Sequence, residues 1–169
     1  NAGDVFLDGQ GSTSILGISA GETVRIQGLT LRNGFDFYGG CLSVSSASVL
    51  VLDDVLVEDC QAFVGGAVAV IEASAYMQDV TVTQNGAAIG GALFASKSVL
   101  AVDGCNVVDN RATSDGGAIY AFQANLIFNG TASQMLNNNA VGRGGALLAT
   151  ESDVSASTVV TFSSTPLHS

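Results

Sequence analysis

Apolar residues alternate with polar ones in short runs along this chain, and the runs return at a nearly fixed distance. The most regular run opens with a pair of glycines: GGCLSV at Gly39, GGAVAV at Gly65, GGALFA at Gly90, GGAIYA at Gly116 and GGALLA at Gly144. The intervals are 26, 25, 26 and 28 residues, and self-similarity at such a period is the mark of a solenoid. Inward positions of this run are Leu42, Val68, Leu93, Ile119 and Leu147, with Val44, Val70, Ala95, Ala121 and Ala149 two residues on. The doublets Gly39-Gly40, Gly65-Gly66, Gly90-Gly91, Gly116-Gly117 and Gly144-Gly145 predict tight corners, because glycine accepts positive φ and close backbone approach.

Two more strands follow from the same phase. Ahead of each doublet stands a column of Gly34, Cys60, Asn85, Asn110 and Asn138. Three residues before it come Leu31, Val57, Val82, Val107 and Met135, alternating with polar neighbours as in a strand with one buried face. Further back, Val24 and Ile26, Leu50 and Leu52, Ala75 and Met77, Leu100 and Val102, then Leu126 and Phe128 predict another strand. The pairs Gln27-Gly28, Asp53-Asp54, Gln78-Asp79 and Asp103-Gly104, where the alternation slips, predict a corner between these two strands.

The expected fold is therefore all-β: a right-handed parallel β-helix, or solenoid, of about six coils, each with three short strands and 25–28 residues. No window has helical spacing, and an antiparallel sandwich does not return the same residue type at the same phase. Residues 1–169 read as a single β-helix domain, a segment of a larger surface structure, with residues 157–169 a tail of unassigned register. The chain opens at Asn1 with no charged-then-apolar leader, and neither end shows a capping helix, so uncapped terminal coils are expected.

Composition narrows the function. Five basic against fifteen acidic residues give a net charge of -10, which repels nucleic acid and anionic membranes. No apolar run is long enough to span a bilayer, so no membrane insertion by this segment is expected. Cys105 falls in a core column and reads as a buried thiol. Cys60 stands in the asparagine column as a small buried residue. Cys41, in a column otherwise of alanines, lies where it can approach Cys60 across the corner, as a disulfide or as a second buried thiol.

Several features invite chemistry. Asn85, Asn110 and Asn138 predict a structural asparagine ladder, each amide bonding its neighbour in the next coil. Phe94, Tyr120 and Leu148 stand at outward positions on successive coils and predict a lateral contact with a protomer, a neighbouring β-helix segment or a glycan. Asn129-Gly130-Thr131 is the one N-x-S/T sequon, and a glycan on Asn129 would project from a lengthened corner. Asp53, Asp54, Asp79 and Asp103, with Asp59 and Asp109, are oxygen donors for Ca²⁺, but their columns are broken, so a solvated face is preferred and no metal or other cofactor is expected. Polysaccharide lyases and hydrolases need strong bases or paired acids at set separations. Here Lys97, Arg25, Arg32, Arg111, Arg143 and His168 do not gather at any phase with Asp and Tyr, so no catalytic residues are assigned.

GGALFA with VVDN, and GGAIYA with MLNN, resemble the repeats of chlamydial polymorphic outer-membrane proteins. The opening FLDGQGSTSILGISAGETVRIQGLTLRNG is similar to the first coils of secreted bacterial and algal β-helix repeat proteins. The first resemblance implies a surface autotransporter passenger with a right-handed β-helix and an adhesive role. The expected function is thus a non-catalytic, extracellular structural or adhesive β-helix that self-associates or forms part of a filament or appendage. The alternatives are a carbohydrate-binding or polysaccharide-modifying module and an adhesin passenger that binds a host receptor.

Overall fold

The computed structural model describes residues 5–164; His168 and the end of the tail lie outside the described residues. All regular structure is strand, with no helix among the described residues. Every strand pairing is parallel, and the strands form three sheets wound into about six turns of β-solenoid.

One six-stranded sheet holds the glycine-launched strands Leu16–Ile18, Leu42–Ser45, Val68–Ile71, Leu93–Ser96, Ile119–Phe122 and Leu147–Thr150. The second holds Thr23–Gln27, Val49–Asp53, Ser74–Gln78, Val99–Asp103, Asn125–Asn129 and Asp153–Ala156. Register is constant from coil to coil, Leu93 opposite Val68 and Ile119, Met77 opposite Leu52 and Val102. A slip of one residue would turn the apolar set outward, so the hydrophobic pattern itself holds the register.

The third sheet is bent into two limbs. One is the expected strand at Thr30–Arg32, Leu56–Glu58, Thr81–Thr83 and Asn106–Val108, continued by Ser133–Ala140. The other limb is a fourth short strand in each coil, not read from the sequence: Phe35–Tyr38, Gln61–Val64, Gly86–Ile89 and Arg111–Asp115. Its column of Ala62, Ala87, Ala112 and Ala140 carries small side chains in place of a stripe of large apolar ones, with the exposed Asp36 in register on the first coil. The tail acquires a register too, Val160–Ser164 pairing with Ser133–Ala140 and placing Phe162 opposite Met135.

Four corners per coil each use a left-handed residue. Gly28, Asp54, Asp79, Gly104 and Gly130 turn one, with φ of 51–67°. Asn33, Asp59, Gln84, Asp109 and Asn137 turn the second, just before the asparagine column, with φ of 53–57°. Asn and Asp tolerate this conformation better than other side-chain residues do, which explains their place there. The first glycine of each doublet turns the third, at φ of 64–68°. Glu72, Lys97, Gln123 and Glu151 turn the fourth.

The second glycine of each doublet answers to a different constraint. A Cβ on Gly91 would stand 2.6 Å from the Arg111 carbonyl carbon, and one on Gly117 would stand 2.6 Å from that of Asn139 and run into the Gly145 carbonyl. Gly40 and Gly66 meet the backbone of the next coil at Gln61 and Gly86 in the same way. The doublet thus combines a left-handed turn with a contact between backbones of successive coils.

Leu31, Leu42, Leu50, Val57, Val82, Leu93, Leu100, Val107, Ile119, Leu126, Phe128 and Met135 fill the interior with almost no exposure. Core-phase residues on the terminal coils are not covered: Leu7, opposite Leu31, is 46% exposed, and Val154, opposite Leu126, is 47% exposed.

Candidate functional site

The asparagine column lies buried at the corner between the two limbs. Asn110 Oδ1 accepts from the Asn85 backbone N–H at 3.0 Å and from Asn85 Nδ2 at 3.0 Å. Asn110 Nδ2 is shared among the carbonyls of Val82 and Val108, both at 2.9 Å, and Asn138 Oδ1 at 3.0 Å. Asn85 repeats the pattern towards Val57 and Thr83, and its Oδ1 accepts from Cys60 N at 2.9 Å. The amides complete the hydrogen bonding of a corner closed to water, which is a structural task.

Where the column passes to Cys60, the ladder gives way to a disulfide with Cys41, with Cα atoms 5.6 Å apart. The bridge ties a glycine corner to the asparagine corner within one coil, closing a loop of 19 residues. A protein disulfide of this kind belongs to an oxidising compartment. Cys105 is buried, its thiol pushed up to about 11 by burial, with the nearby Asp79 and Asp103 charges acting in the same direction. Such a thiol is a poor nucleophile.

Phe94 and Tyr120 stack at 5.8 Å with ring planes 14° apart, and Leu148 continues the row. All three are half-buried. Their Cβ atoms stand against the glycine corners, close to where a Cβ would be on Gly65, Gly116 and Gly144. The row is a ladder seated over the space that the glycines leave.

The acidic corners are partly engaged. Asp53 binds Arg25, and Asp103 Oδ1 accepts from the Thr131 N–H at 2.7 Å and from Thr131 Oγ1 at 3.0 Å. Asp54, Asp59, Asp79 and Asp109 are exposed. Among the described residues no group of three or more His, Cys, Asp or Glu side chains is placed to hold a metal ion. Asn129 is exposed at its corner, where its Oδ1 accepts from Ser157 Oγ at 3.2 Å. No helix of the described residues is long and apolar enough to cross a membrane.

An exposed aromatic cluster lies on the limb that sequence reasoning missed. Phe35, Phe37, Tyr38 and Phe63 stand 55%, 54%, 46% and 52% exposed. Phe37 stacks on Phe63 at 5.0 Å, planes 20° apart, and meets Tyr38 edge-on at 4.7 Å. The run FDFY was visible in the sequence, but without the fourth strand nothing joined it to Phe63. Beside Phe63 a hollow of about 860 Å³ runs along the same limb, past Gly86, Ala88, Gln84, Asp109, Arg111 and Thr113.

Residues 104–121 match the Chlamydia polymorphic membrane protein repeat. The matched segment contains Asn110, the Arg111–Asp115 strand, the Gly116-Gly117 doublet and Tyr120, so it runs from the ladder to the glycine-launched strand. The resemblance carried by GGAIYA thus stands on a family match within this chain. The family consists of outer-membrane surface proteins, which indicates a cell-surface setting at that coarse level. No curated protein and no solved structure matches the chain.

Proposed function

We propose that this chain is a non-catalytic, extracellular segment of a surface β-helix, structural in its core and adhesive along its flank. The single observation that carries the adhesive part is the exposed stack of Phe37 on Phe63, flanked by Phe35 and Tyr38. Aromatic clusters of this kind are scarce on surfaces that face only water and are typical of contact centres. The surface-protein repeat supports the setting. The non-catalytic part rests on the scattered basic residues, of which Arg25, Arg32, Lys97 and Arg143 are each held by a carboxylate.

Beads coated with the chain test this reading by their attachment to cultured epithelial cells. The double substitution Phe37→Ser and Phe63→Ser is expected to lower attachment by about tenfold while the circular dichroism spectrum stays unchanged. Equal attachment by the two proteins would contradict it.

A further inference from the structure

We propose that the hollow between Phe63 and Arg111 is a glycan subsite for a pyranose that carries a carboxylate. This rests on the adhesive reading of the same flank and names its ligand class.

The ring stack gives the first argument. Phe37 covers one face of the Phe63 ring, and the stack runs along the coil axis. In the next coil the position in register with Phe63 is Ala88, between the pairs Gly86 with Gln61 and Ile89 with Val64. A methyl group stands where a further ring would continue the ladder. The Phe63 ring borders the hollow of about 860 Å³, whose floor holds Ala88 and Gly86, with the Gln61 amide laid over Gly86. An exposed aromatic ring beside a small residue and a planar amide suits the flat C–H face and the hydroxyls of a sugar ring.

Charge gives the second argument. The chain has five lysines and arginines against fifteen acids. Four of the five are in ion pairs, whereas Arg111 has none among the described residues, is exposed and lines this hollow. An unneutralised guanidinium is a fork for a carboxylate. Gln84, Asp109 and Thr113 around it offer planar amide, carboxylate and hydroxyl groups to sugar hydroxyls.

The net charge of -10 limits the ligand. A sulfated or phosphate polyanion is repelled over its whole length, whereas one carboxylate on an otherwise neutral oligosaccharide meets the local arginine with little long-range cost. An apolar peptide is poorly matched, because the hollow is rimmed with polar side chains and its floor holds no large apolar group.

Titration calorimetry and saturation-transfer NMR of the whole chain with sialyllactose, trigalacturonate and lactose test the assignment. The two carboxylate-bearing probes are expected to bind, more weakly as salt rises, with magnetisation transferred to ring C–H protons; lactose is expected to bind at least about tenfold more weakly. Phe63→Ser and Arg111→Gln should each weaken sialyllactose by about tenfold, with the amide spectrum of the buried coils unchanged. Binding by neither acidic probe, equal binding of lactose, or wild-type affinity in both variants would overturn the assignment. Bead attachment separates the two claims. If Phe37→Ser with Phe63→Ser lowers attachment while no probe binds, the glycan assignment fails and the adhesive flank stands. If attachment is indifferent to those substitutions, the adhesive flank fails.

Discussion

At the scale of single residues, the buried amides carry more of the fold than any charged group. Asn110 satisfies a backbone N–H in one coil, two carbonyls and an amide on each side, all out of reach of water. Truncating it strands several polar groups at once, each costing about 1–3 kcal/mol when left unpaired. Asn110→Ala is expected to lose about 3 kcal/mol in urea unfolding, whereas alanine at exposed Asn106 should stay within about 0.5 kcal/mol. The ladder was legible because one residue type recurs at one phase. The disulfide was only half legible, since spacing put Cys41 and Cys60 near one corner but the distance that joins them is set by how that corner turns.

At the scale of the element, the fourth strand decides where the surface chemistry sits. The other strands were legible because large apolar side chains return at alternate positions. The limb of Phe35–Tyr38, Gln61–Val64, Gly86–Ile89 and Arg111–Asp115 packs small residues inward and has a register shift between Ala87 and Ile89, so no period marks it. Phe35, Phe37 and Phe63 point into solvent and were invisible to a search for buried stripes. The row of Phe94, Tyr120 and Leu148, read from the sequence as outward positions on the glycine-launched strand, is the half-buried one. The end of the limb is tied down by charge: Asp115 accepts from the Arg143 backbone N–H at 2.7 Å and from its guanidinium at 3.1 Å. The Arg143 side chain and then its backbone N–H hold the Asp115 carboxyl below its usual range. A carboxyl depressed on folding stabilises above its unfolded value, near 3.9, and that contribution disappears as pH falls through the lower folded value. The Arg143 amide proton is therefore expected to titrate with a midpoint below about 3.9, and to lose that step in Asp115→Asn. A midpoint at or above the unfolded value would show that the pair is not formed in solution.

At the scale of the whole molecule, the coil is a rigid carrier for its flank. Each coil pairs with its neighbours through parallel strands in every sheet, and the interior is a continuous column of Leu, Val, Ile, Phe and Met. In such a solenoid, stability is a sum of coil and nearest-neighbour terms, so surface side chains are free to vary while the core repeats. That separation explains why the period revealed the fold directly and the contact face only after the coils had been stacked. The central claim, that contact is made by the limb of Phe35, Phe37, Tyr38 and Phe63, is open to a footprint. Hydrogen exchange of the chain bound to epithelial cell membranes, compared with the free chain, reads it residue by residue. Added protection is expected at residues 35–38 and 61–64 and along the hollow to Arg111. Protection confined to Phe94, Tyr120 and Leu148, or to the terminal coils at Leu7 and Val154, would contradict the account.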